Sequence, residues 1–214
     1  MKERLKLASR AMQAGMVALA ISGVFTGELT YVPAALVSIL VSELPSLFRR
    51  DLKIVLPVEL NLWIVTALFV HVLGSFSGFY DNLPGWDHLT HAMSASLIAA
   101  LGFIIVTSID KYAESVYLPR AFLALLIVML TMAVGVVWEL MEYIIDAATG
   151  SHLQYSLDDT MKDLLFDTIG GLLVAAGGAY YLSHTTLDHF VEGFQMSTAR
   201  EKVEKIIEHR KKGN

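Results

Sequence analysis

Leu157-Asp158-Asp159-Thr160-Met161-Lys162-Asp163-Leu164-Leu165-Phe166-Asp167-Thr168-Ile169-Gly170-Gly171 is the stretch on which the reading of this chain turns. Asp159, Asp163 and Asp167 recur every fourth residue, the interval that puts side chains on one face of an α-helix. The same segment then runs on, almost wholly apolar, to Leu182. A charge at mid-membrane costs about 2.5–3.5 kcal/mol on insertion scales. A helix that is both apolar and acidic on one face therefore needs neutralising partners.

Two other segments offer them. Trp138-Glu139-Leu140-Met141-Glu142-Tyr143-Ile144-Ile145-Asp146 closes one long apolar run, and Asp87-His88-Leu89-Thr90-His91 opens another. At helical spacing Glu139, Glu142 and Asp146 stack on one side, as do Asp87 and His91. Gly170-Gly171 and Gly177-Gly178 read as points of close helix contact and not as a phosphate loop.

Composition fixes the surroundings. Hydrophobic residues make up 55% of 214 residues, charged ones 17%, and mean hydropathy is +0.55, which is too apolar for a soluble domain. The expected fold is all-α, a polytopic membrane helical bundle with six spans, each near the twenty or so residues that cross hydrocarbon. They are Leu7–Phe25, Pro33–Phe48, Ile54–Phe79, Trp86–Ile109, Leu118–Asp146 and Leu157–Leu182. The second is short and carries Glu43 and Pro45, which leaves a re-entrant segment as the alternative. Residues 1–183 form the transmembrane domain, and 184–214 a charged cytoplasmic helix or tail. The basic start runs into apolar sequence without a small-residue cleavage site, so no cleavable signal peptide is expected. Cysteine is absent, which excludes disulfides, thiolate metal sites and a cysteine nucleophile.

Fifteen of the sixteen Lys and Arg residues fall in the N-terminus, the second and fourth loops and the tail. Positive loops stay on the cytoplasmic side, so both termini are expected inside. Asp87, the end of the fifth span and the start of the sixth then share the outer half of the membrane. At about 1.5 Å per residue, Glu139 lies roughly 10 Å below Asp146 and Asp167 roughly 12 Å below Asp159, so the stripes match in depth.

Carboxylates packed so closely repel one another, and Lys162 is the one nearby cation. A divalent ion neutralises them economically. Asp87, His91, Glu139, Glu142, Asp159, Asp163 and Asp167 are the candidate ligands, with Glu142 and His88 the candidate proton carriers. Imidazole with carboxylate suits Zn, Mn or Fe, and a mostly carboxylate set also accepts Mg or Ca. Two function classes follow. One is a metal-dependent hydrolase or transferase acting on a membrane lipid or lipid-linked small molecule. The other is a divalent-cation or proton-coupled transporter, for which the inner half supplies only Glu43 and Glu59 as steps. A non-catalytic structural metal is a third reading. Nothing resembles a dinucleotide fingerprint, a P-loop or a nucleic-acid surface, and the oligomeric state is not legible.

Trp86-Asp87-x-x-x-His91, Trp138-Glu139-Leu140-x-Glu142-Tyr143 and Asp159-Thr160-x-x-Asp163-x-x-x-Asp167-x-x-Gly170 resemble the signature of the YjdF-like prokaryotic inner-membrane proteins, chiefly over spans three to six. The resemblance implies a multi-pass protein of the inner (plasma) membrane and names no reaction. A more distant similarity to VanZ-like membrane proteins, linked with glycopeptide resistance, rests on a comparable Asp/His, Glu and Asp pattern. Those chains usually carry Asn near the position of Asp167, so the resistance role is not carried over.

Overall fold

Proline and glycine punctuate the chain, and most helix boundaries follow from them. Pro57 and Pro119 stand immediately before helices, where a missing N–H and a preset φ cost nothing. Gly27, Gly78 and Gly150 close helices in the left-handed conformation, at φ 82°, 65° and 72°. A computed structural model of the chain describes residues 1–52, 55–112, 118–184 and 194. The expected tail of 184–214 lies, apart from 184 and 194, outside the described residues.

Among the described residues the protein is all-helical: α1 (Lys2–Thr26), α2 (Val32–Leu47), α3 (Val58–Ser77), the single-turn α4 (Phe79–Asn82), α5 (Trp86–Tyr112), α6 (Arg120–Thr149) and α7 (Leu157–His184). Six of these segments are long and apolar enough to cross a membrane. The second extends through a π-helical turn at Phe48–Leu52, giving 20 residues over Val32–Asp51. Pro45 inside α2 has no N–H to donate, and the turn that follows it is the wider one. The third helix starts at Val58, four residues later than the apolar run suggests, because Pro57 sets its beginning.

The chain divides into two compact units. In the first, Met1–Gly78, helices α1, α2 and α3 pack around Met16, Ala20, Ala35, Val65 and Val72. Glu43 of α2 is tied to α1 by Arg10 at 3.1 Å and Gln13 at 2.9 Å. In the second, Phe79–Thr185, α7 packs along both α5 and α6. Glycines make that approach close: a β-carbon on Gly170 would stand 3.0 Å from the Ala92 carbonyl oxygen of α5, and one on Gly171 3.1 Å from Thr131 Cβ of α6. One on Gly178 would run into the Phe103 ring. Gly177, expected to share this role, has open space instead. All three acidic or histidine motifs meet at one end of this unit, since α5 begins where α6 ends and α7 begins.

Candidate functional site

His91 lies one turn into α5 and above Asp87, as the four-residue spacing requires. Its Nδ1 is 3.3 Å from Asp167 Oδ1 of α7. A proton on Nδ1 serves that contact and leaves Nε2 as a lone-pair donor. Nε2 looks out between Asp87 Oδ1 at 3.7 Å and Glu139 Oε1 of α6 at 3.8 Å. Both distances are too long for hydrogen bonds. His91, Glu139, Asp163 and Asp167 are 7%, 5%, 2% and 4% exposed, so their polar atoms are removed from bulk solvent. Among the described residues, Glu139 Oε1 and Asp167 Oδ2 are buried with no hydrogen-bond partner.

One turn along the same helix face, His88 Nδ1 is 2.7 Å from Asp163 Oδ1, and its ring stacks on Phe166 of α7 with centroids 5.1 Å apart. Two trios of metal-competent donors result: Asp87, His91 and Asp163, and His88, Asp159 and Asp163, with the donor atoms of each within 4.8 Å of one another. Asp163 belongs to both.

The connection from α6 to α7 braces this arrangement. Asp146 accepts from Ser151 Oγ at 2.7 Å and from the backbone N–H groups of Leu153 and Gln154 at 2.8 and 2.9 Å. The fold of the loop brings Gln154 back over α6, where its amide donates to Glu139 Oε2 at 2.9 Å and to the Glu139 carbonyl at 3.0 Å. Ser156 caps α7 by accepting from the Asp159 N–H at 3.1 Å. Glu142 is half-buried, and its Oε1 accepts from Trp138 Nε1 at 2.8 Å, outside both trios. Lys162 pairs with exposed Asp158 at 2.5 Å, at the surface.

A cavity of ≈ 220 Å³ opens onto Asp87, His88 and Asp159, with Tyr80, Asn82 and Tyr155 on its other walls. It is smaller than the roughly 300–1,000 Å³ of drug-sized sites. Tyr155 donates to Asp81 Oδ1 at 2.8 Å. Burial pushes the Tyr80 phenol well up, and burial with the Asp81 hydrogen bond does the same for Tyr155. Both remain neutral hydrogen-bond donors.

Periodicity identified the stripes, and the fold brings Asp87, His91, Glu139, Asp163 and Asp167 around one point, with His88 and Asp159 beside it. Asp146 belongs to the loop. The residues missed are Gln154, Gly135, Tyr80 and Tyr155. Gly135 alone carried a signal, since it sits one turn before Glu139 on the same stripe.

Residues 7–184 match the family described as "Predicted membrane protein (DUF2238)", the family of the YjdF-like proteins. The chain is also 30% identical over 128 residues to an uncharacterised protein of Thermotoga maritima, covering 59% of this chain and 65% of that one. The chain thus spans a little under two thirds of that relative's length. Neither match concerns VanZ-like proteins, and no solved structure matches. The chain belongs to the DUF2238 family of membrane proteins.

Proposed function

We propose that the convergence of α5, α6 and α7 holds a divalent cation, Zn, Mn or Fe in preference to Mg or Ca, and that the protein is a metal-dependent hydrolase or transferase for a lipid or lipid-linked substrate. The observation that carries this reading is the pair of buried, partnerless carboxylate oxygens, Glu139 Oε1 and Asp167 Oδ2, on either side of His91. Leaving such atoms unsatisfied costs about 1–3 kcal/mol each, more when charged. A cation held by His91 Nε2, Asp87, Glu139 and Asp163 would remove that cost at Glu139. Asp167 then acts as the carboxylate that orients the histidine, the usual partner of a metal-bound imidazole.

The ion would polarise an ester, amide or phosphate oxygen and acidify water. Glu142, tied through only one oxygen to Trp138, is placed as the general base, and His88 at the cavity as the acid. The cavity admits a headgroup and leaves lipid chains in the bilayer. With both termini cytoplasmic, as the basic loops favour, the site faces the outer leaflet of the plasma membrane. The transporter reading draws less support, because Glu43, one of its two inner steps, is occupied by Arg10 and Gln13.

Elemental analysis of the purified protein before and after chelation tests the metal. Flux of Zn, Mn, Mg, Ca or protons into proteoliposomes tests the alternative. Retained metal without flux leaves the enzyme and a structural metal site standing. Saturable flux abolished in Asp163→Asn overturns it, and metal-free protein overturns the site.

A further inference from the structure

We infer that the cluster is built for two divalent ions bridged by Asp163, the second held by His88, Asp159 and Asp163 at the wall of the cavity. The inference deepens the metal reading of the same site and rests on it, with His88 a ligand in place of the general acid. Its first ground is connectivity. The two donor trios share a single carboxylate, and a carboxylate has two oxygens, one for each ion. Dinuclear centres set their ions about 3.5–4 Å apart, within the reach of such a bridge.

The second ground is charge. Asp87, Glu139, Glu142, Asp159, Asp163 and Asp167 are buried or half-buried, and Lys162 is engaged by Asp158. One dication would offset two of these six carboxylate charges, and two would offset four. Glu139 Oε1, buried and without a hydrogen-bond partner among the described residues, lies 3.8 Å from His91 Nε2 and supports the first of the two positions.

The third ground is access. His88 and Asp159 both line the cavity, whereas of the first trio only Asp87 does and His91 and Asp163 do not. The two positions therefore differ in how far they open to it. The ion at His91 is enclosed by three helices, and the ion at His88 meets whatever occupies the cavity. A phosphate or carboxylate oxygen arriving there would complete its coordination. Phe166, stacked on the His88 ring, and the 2.7 Å contact of Nδ1 with Asp163 Oδ1 fix the position of this imidazole at the cavity wall.

Manganese counts the ions and reports on their separation. Chelator-stripped full-length protein is titrated with Mn2+, bound metal is measured at saturation, and the electron paramagnetic resonance spectrum is recorded. Two ions per chain with an exchange-coupled spectrum are expected. His88→Ala and Asp159→Asn should each bind one, with the uncoupled six-line spectrum, and Asp163→Asn should weaken both. The melting temperature of each stripped variant, compared with the stripped parent, separates lost ligands from lost fold. Saturation of the parent at one ion overturns the bridged pair and leaves the single-ion site standing. No bound ion overturns both, and two ions retained in both His88→Ala and Asp159→Asn overturn the assignment of the second trio.

Discussion

Gly135 of α6 faces the carboxylate of Asp167 of α7 with no room to spare: a β-carbon on residue 135 would overlap Asp167 Oδ2 and stand 3.0 Å from its Cγ. The absent side chain is what lets the carboxylate lie between the helices and reach His91. Gly135→Ala should leave the helices intact, since alanine favours helix by about 1 kcal/mol over glycine. It should push Asp167 off the imidazole and weaken metal binding about 10- to 100-fold, the usual loss when a histidine's orienting partner is disturbed. A competitive chelator titration measures it. Unchanged affinity would remove Asp167 from the support of the site.

Gln154→Ala takes the donor away from Glu139 Oε2 while leaving every candidate ligand in place. A buried carboxylate oxygen without a partner costs about 1–3 kcal/mol. The metal-free protein should melt several degrees lower, and added metal should restore part of the difference by mass action. Thermal melts with and without Zn2+ decide. A variant that melts with its parent in both states would show the loop to be irrelevant to Glu139.

Glycines that look alike in the sequence should respond oppositely. Gly177→Ala enters open space and should be neutral or stabilising by up to about 1 kcal/mol. Gly170→Val must displace the α5 backbone at Ala92 and Ser96, and should destabilise by about 1–3 kcal/mol. Melting in one detergent compares them, and equal effects would mean that α5 and α7 do not approach as closely as described.

Topology has its own measurement. Reporter fusions at Asn82 and Thr149 should score outside and one at Arg50 inside, because the basic residues cluster in the loops on Arg50's side. An external Arg50 would turn the cavity toward the cytoplasm.

Much of this architecture was legible because it is local. Apolar length gave the spans: Trp86 is where α5 starts, Leu118 lies two residues before α6, and Asp146 falls three residues short of its end. The third span is instructive: Ile54 and Val55 are as apolar as the helix itself, yet Pro57 rules the start. Helical spacing, three residues for Glu139 and Glu142 and four for Asp163 and Asp167, placed each pair on one side. It does not reveal which neighbour each stripe faces, which depends on α7 lying against both α5 and α6. That is why Asp146, a member of the Glu139 stripe, turns out to hold the loop. Gln154 gave no signal because a loop residue has no period. Tyr80 and Tyr155 come together across 75 residues of chain only through the cavity they wall.

The acids of α7 also bear on how the chain is made. Taken alone, Asp163 and Asp167 would burden the membrane insertion of α7 by about 5–7 kcal/mol at mid-bilayer. Their partners His88, His91 and Gly135 all lie upstream, on helices synthesised first. The last span should therefore enter the bilayer against an already inserted α5 and α6, as a client of its predecessors and not as an autonomous hydrophobic segment. Replacing His88 and His91 together with leucine should leave α5 inserted and send the sequence after α7 to the wrong side in a fraction of chains, which a C-terminal reporter would register during biosynthesis. Histidines proposed to bind an ion in the mature protein would thus first serve as the docking site that recruits α7 from the ribosome.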